Sequence, residues 1–336
     1  MSIPAPLKLR RAGLRGCGVP LRCRAMFSKR IFAIATLAFC AQSALAAQAY
    51  IIIDDKSGYV LEAANAKDKR QIGSLTKVAT ACVVLDWADK RGNGALDAVV
   101  SIPPQAFVGI QENNIGFSPG DQITLRDLMY AALVQSDNIA AFTLAAHVGS
   151  TINIAGGNKK MGPVDIFVTQ MNALAQNLKM LKTRFVNPHG IDDNVRSQPY
   201  STAEDLARLT RYAMNKASFR FYVSQKERQI SFRHAGKTRS YMLRNTNELV
   251  GAHGIDGVKT GKTARAGECL ILSARRESEV VQQGQYTSVY PRHIIVVLLG
   301  STNRFGEGAG LLGRGWQLFD QWSAGGKPMT PEKVLQ

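Results

Sequence analysis

Apolar positions along the chain follow two rhythms. "AYIIID" (49–54), a "DKSG" turn and "YVLEAANA" (59–66) set β-branched and aromatic residues around turn chemistry and predict a strand hairpin. From Ser74 to Lys90 the spacing is helical, with no glycine or proline until "RGNG" stops it. A second helix is predicted from Thr124, where Thr124 and Asp127 resemble a capping box ahead of "LMYAALVQS". "DNIAAFTLAAHVG" (137–149) is so small and apolar that it must be buried, residues 164–180 read as an amphipathic helix, and "STAEDLARLTRYAMNK" opens with a capping box of Ser201 and Glu204. The last third turns to strands, "GIDGVKTG", "ECLILSARR" and "RHIIVVLLGS". A helix over "AGLLGRGWQLFDQW" (309–322) and a polar tail from Ser323, expected to be loose, complete the chain.

A hairpin first, helices in the middle and three strands with a helix last suit one antiparallel sheet assembled from both chain ends, with a helical subdomain packed on it. The expected fold class is therefore α+β, in a single domain over 47–322. A length of 336 residues at 45% hydrophobic content is ample for one sizeable core. The stretch "ESEVVQQGQYTSVYP" (277–291) lengthens one strand connection beyond a short turn, and nothing in its residues assigns it a role.

The N-terminus changes this picture. From Met26, Lys29 and Arg30 precede an apolar stretch, Ile31 to Cys40, and then Ala44-Leu45-Ala46, the small-x-small pattern of a secretory signal cut after Ala46. Ala47-Gln48-Ala49 offers a second cut, and translation could begin at Met1 or at Met26. The apolar run falls short of the ~20 residues of a membrane span, which argues against an uncleaved anchor. Residues 1–46 hold eight Lys/Arg and no acid, so their removal lowers the net charge from +17 to +9. The remaining charge is not a dense basic run with interleaved aromatics. It suits an acidic polymer or anionic surface, not a nucleic acid. Cys82 and Cys269 remain in apolar settings, as one disulfide or as two buried thiols.

Several chemistries drop out. "GKT" at Gly236 and at Gly261 lacks the upstream glycine of a phosphate loop, and the five histidines show no metal-ligand spacing, so no metal or cofactor is expected. No G-x-S-x-G elbow exists for a serine triad based on His189. "SLTK" is different. Ser74 and Lys77, three apart, share a helix face, and a helix N-terminus favours an oxyanion there. For Lys77 to take the serine proton its pKa must fall, through burial or a second cation. On its own the tetrapeptide is weak, but "SDN" at Ser136–Asn138 and "KTG" at Lys259–Gly261 follow in order. The three together are the signature of class A β-lactamases and penicillin-binding proteins.

With "TRFVNPHGIDD", "YSTAEDLARL" and "GIDGVKTGKT", the chain from about Gln48 to Trp322 resembles the low-molecular-mass penicillin-binding D-alanyl-D-alanine carboxypeptidases. The resemblance implies a DD-peptidase/β-lactamase-like fold and a periplasmic enzyme acting on peptidoglycan stem peptides and acylated by β-lactam antibiotics. It also implies roles: Ser74 as nucleophile, Lys77 as base, Ser136 as proton relay to the leaving amine, and Asn138 orienting Lys77 and substrate. Lys259, Thr260 and Gly261 would form the strand that pairs with substrate. The backbone N–H of Lys262, with that of Ser74, would form the oxyanion hole, while Arg304 and Arg244 would lie near the substrate carboxylate. Lys259 is expected to supply the second cation beside Lys77, Gly261 to let a ligand backbone approach, and His189 to serve as a structural hydrogen-bonder. Many relatives continue into a second, β-rich domain and an anchoring helix, which this sequence does not show. A β-lactamase would need a glutamate to activate water, and Glu204, Glu227 and Glu248 are poorly placed for it. A silent wall-sensing module would not need Lys77, Ser136 and Lys259 together. Cleavage of internal crosslinks, an endopeptidase activity, is the reading nearest to carboxypeptidase.

Overall fold

The computed structural model describes residues 46–156 and 161–335; the expected signal segment lies outside them, apart from Ala46 at the proposed cut. In chain order the elements begin with strands β1 (Ala49–Asp54) and β2 (Val60–Ala64), then helix α1 (Lys77–Asp89), β3 (Val99–Ser101) and β4 (Gln122–Thr124). Helices α2 (Leu125–Leu133), α3 (Asn138–Gly156), α4 (Pro163–Asn177), α5 (Ala203–Met214) and α6 (Ala217–Val223) follow. The chain then returns to strands, β5 (Glu227–His234), β6 (Lys237–Arg244), β7 (Ile255–Thr263), β8 (Gly267–Gln283) and β9 (Tyr286–Ser301), before α7 (Arg304–Ala324).

Five strands form the antiparallel sheet β2-β1-β9-β8-β7, in which β1 from the start of the domain pairs with β9 from its end. The uninterrupted apolar runs of β1 and β9 follow from burial on both faces. Ile51, Ile53, Ile295, Val297 and Leu299 enter the large core shared with α1–α6, while Ile52, Ile294, Val296 and Leu298 enter a smaller core under α7. Gly308 and Gly315 let α7 lie close, since a Cβ would come within 2.7 Å of Leu270 and 2.8 Å of Ile52.

The hairpin, the central helices and the three late strands stand where the pattern put them. Four details differ. A second sheet, β3-β4-β5-β6, contains a hairpin over 227–244 that was not anticipated. Helix α5 is capped by Thr202, whose hydroxyl accepts from the Asp205 N–H at 3.0 Å, and not by Ser201, which bonds Thr183. Helix α7 starts at Arg304, capped by the Asn303 side chain, because its glycines concealed a helical turn. The tail is docked: Trp322 Nε1 donates to the Pro328 carbonyl, Val334 bridges to Tyr59, and Leu335 is buried, its N–H bonded to the Gly58 carbonyl. Residues 277–291 do lengthen the connection between two strands, as expected. They extend β8 and β9 into a two-stranded arm that carries Val280, Tyr286 and Val289 exposed. Cys82 and Cys269 are both buried free thiols, so of the two readings the unbridged one holds.

Candidate active site

Ser74 lies on a 3-10 turn, Gly73–Thr76, that runs straight into α1 and places Lys77 one turn below it. Lys77 is wholly buried, and its Nζ lies 3.0 Å from Ser74 Oγ, 2.7 Å from Asn138 Oδ1 and 2.9 Å from the His189 carbonyl oxygen. Burial lowers its pKa from 10.5 to about 7, against the opposing pull of the Asp137 carboxylate. An ammonium can donate to all three partners. A neutral amine donates to the two carbonyl oxygens and turns its lone pair to the serine hydroxyl, the state in which it can accept a proton.

The "NPHG" loop brings the third partner. Asn187 Oδ1 accepts from the N–H groups of His189 (3.3 Å) and Gly190 (2.7 Å), and Thr80 on α1 donates to the Pro188 carbonyl. Gly190 has φ +90°, and a Cβ there would meet the Gly73 carbonyl at 2.0 Å. The loop therefore seats its backbone against the turn that carries Ser74. The His189 carbonyl as a lysine partner was not foreseen; the fixed spacing of Pro188 and Gly190 was the available signal. The His189 imidazole accepts from the Ile191 N–H, and burial, then Lys77, lower it to about 3.

Ser136 and Asn138 come from the junction of α2 and α3. Ser136 holds φ +65°, a strained conformation for a residue with a Cβ. It is fixed on both sides: the Asp137 N–H bonds the Ala131 carbonyl, and Gln135 donates to Tyr241 Oη (3.0 Å) and accepts from the Arg244 N–H (3.3 Å). Asp137, buried, accepts from the Ala140 N–H at the start of α3, and burial raises its pKa to about 6.

Strand β7, the edge of its sheet, forms the opposite wall. Lys259 is buried, donates to the Thr260 carbonyl, and is held well below its usual range by burial, then by Lys77 and Arg304. Of the two causes expected for the fall in the Lys77 pKa, burial is the one at work, and Lys259 as second cation is not; burial is also the main cause for Lys259. Thr260 Oγ1 lies 2.7 Å from Thr246 Oγ1. Gly261 has a further reason to lack a side chain: an added Cβ would strike the Ile72 carbonyl at 2.7 Å, so the glycine admits the protein's own turn. Gly73, with φ +50°, lies against the same strand, its Cβ position 3.2 Å from the Lys262 nitrogen.

Ser74, Ser136, Asn138, Thr260, Gly261, Lys262, Arg304 and Arg244 all line one cleft of about 1660 Å³, with Lys77 and Lys259 beneath it. Arg304 Nη1 reaches the Gly261 carbonyl at 3.4 Å, and Lys262 pairs with Glu268 at 3.0 Å. Arg244 is at the rim, its side chain 82% exposed and 3.5 Å from Glu227.

The D-alanyl-D-alanine carboxypeptidase family model matches residues 37–283. The chain belongs to this family. It is 31% identical to the D-alanyl-D-alanine carboxypeptidase DacC of Escherichia coli over 89% of this chain and 70% of that one. It is 35% identical to a D-alanyl-D-alanine endopeptidase of Pseudomonas aeruginosa, over 69% of this chain and 68% of the relative. The crystal structure of the Streptomyces K15 DD-transpeptidase superposes with a TM-score of 0.68 at 29% identity, covering 81% of this chain and 98% of that one. Penicillin-binding protein D2 of Listeria monocytogenes, solved in its ampicillin-bound form, gives 0.64 at 26% identity, with the same shares. This D-alanyl-D-alanine carboxypeptidase family member is thus a serine DD-peptidase on an α+β fold. No helix among its described residues is long and apolar enough to cross a membrane.

Proposed function

We propose that the protein removes the terminal D-alanine from peptidoglycan stem pentapeptides by way of an acyl-enzyme on Ser74. The observation that carries this reading is a fully buried Lys77 amine, near pKa 7, 3.0 Å from the serine hydroxyl. Neutral Lys77 takes the Ser74 proton as Oγ attacks the penultimate carbonyl, and the backbone N–H groups of Ser74 and Lys262 receive the oxyanion. Ser136 passes the proton to the departing amine, while Asn138 keeps Lys77 and the substrate amide in register. Water then releases the shortened peptide. The substrate's terminal carboxylate meets the Thr260 hydroxyl and the Arg304 guanidinium over the Lys259 amine, and β7 pairs with the peptide. Arg244 belongs at the outer end of this cationic side.

A β-lactam would be opened by the same serine, as the ampicillin-bound relative suggests by similarity, and would leave a stable acyl group. The signal-like leader supports placement in the periplasm. The endopeptidase named among the relatives supports a second reading, in which an internal crosslink is cut. Purified residues 47–336, offered a pentapeptide ending in D-alanyl-D-alanine and a crosslinked dimeric muropeptide, should release D-alanine faster than they release monomers. The reverse order would make the endopeptidase reading the better one. Fluorescent penicillin should label the wild type and not Ser74→Ala, and labelling of that variant would sink the site assignment.

A further inference from the structure

Thr246 lies between the two walls of the cleft and belongs to none of the three motifs. Its backbone N–H donates to the Val134 carbonyl at 2.9 Å, two residues before the strained Ser136. Its side-chain Oγ1 lies 2.7 Å from Oγ1 of Thr260 in the KTG strand. Both residues line the cleft, Thr260 4% exposed. Each hydroxyl has one proton and can accept through its lone pairs. Two directions follow. If Thr260 donates to Thr246, it shows only lone pairs to the cleft and repels an anion. If Thr246 donates to Thr260, the Thr260 proton is free to point into the cleft, and the first bond polarises the second. Only this direction suits a carboxylate docked at Thr260.

We propose that Thr246 is a positioning residue for carboxylate recognition: its hydroxyl donates to Thr260 and turns the Thr260 proton toward the substrate's terminal carboxylate. The inference rests on the proposed docking of that carboxylate at Thr260. The tie to Val134 fixes the Thr246 backbone from the opposite wall, so the hydroxyl is presented to Thr260 from a held position. Arg244, only two residues away, is exposed and faces Glu227, so it does not substitute for this hydroxyl in orienting Thr260.

The test compares a D-alanyl-D-alanine peptide bearing a free carboxylate with its C-terminal amide. Wild type should favour the carboxylate in kcat/KM. Thr246→Val, which keeps the shape and removes the hydroxyl, should lose roughly 3- to 10-fold on the carboxylate, chiefly through KM, and lose less on the amide, whose neutral carbonyl is the weaker acceptor. Thr246→Ser should restore the preference. Should the valine variant not fold, Thr246→Ala carries the same comparison. An unchanged preference in the hydroxyl-free variant overturns the inference while the proposed function stands. Equal losses on both substrates overturn it too, since they mark a merely structural role. A wild type without preference for the carboxylate overturns the proposed docking itself, and the inference with it.

Discussion

A lysine amine with no exposed surface is an unusual choice for a protein interior, and Lys77 is tolerated because three oxygens surround its nitrogen. The chemistry follows from that setting. With a pKa near 7 in place of 10.5, the proton-accepting form grows tenfold for each pH unit up to about 7 and then saturates. Penicillin acylation rates should follow that rising limb, and a rate flat from pH 5 to 8 would assign the base to another group. The same shift gives a stability term of defined sign. Between about 7 and 10.5 the unfolded chain holds a proton that the native lysine has released, so this residue's contribution rises with pH across that window. Lys77→Arg keeps a cation that cannot deprotonate, and should lower acylation by at least about 100-fold, as expected for loss of a general base. Motif order made the identity of these residues legible before the structure was known. The cause of the shift was not, because a sequence shows that two lysines exist but not how completely each is enclosed.

Between elements, the decisive contact is backbone on backbone. β7, the turn carrying Ser74 and the "NPHG" loop meet through Gly261, Gly73 and Gly190, each lying where an added Cβ would come within 3.2 Å of another main-chain atom. Gly261→Ala would push β7 from the turn by a fraction of an ångström to an ångström, and misplacement of that order costs about 100-fold in rate. The expected result is a fall of that size in kcat/KM with retained far-UV circular dichroism; near-normal activity would show that the two segments move independently. Helices and the first hairpin, β1–β2, were readable because their apolar spacing is local. The 227–244 hairpin escaped notice because its outward positions, Met242 apart, are charged and polar, with only Ile230, Phe232 and Leu243 fully buried to mark a face. The onset of α7 was hidden for the opposite reason: glycine, usually a breaker, is required there by close packing on the sheet.

At the scale of the whole molecule, two cores share one sheet, and the active site sits where the sheet's edge strand meets the helical side. The docked tail contributes to this unit. Removing residues 326–336 uncovers the Leu335 site beside Val60 and Ile51, and burial of one leucine is worth about 1.5–3 kcal/mol. Such a truncation should lower the melting temperature by several degrees while leaving penicillin labelling intact, and an unchanged melting temperature would show that the tail adds nothing. The pairing of β1 with β9 sets a timetable for synthesis. Residues 49–54 are among the first of the domain to be made, yet their partners, residues 294–299, are among the last. Until then β1 has only β2 beside it, and a lone hairpin is marginal in water. The nascent chain thus stays without its central sheet for nearly the whole of translation. A polypeptide that cannot close early remains threadable, as export to the proposed periplasmic location would require.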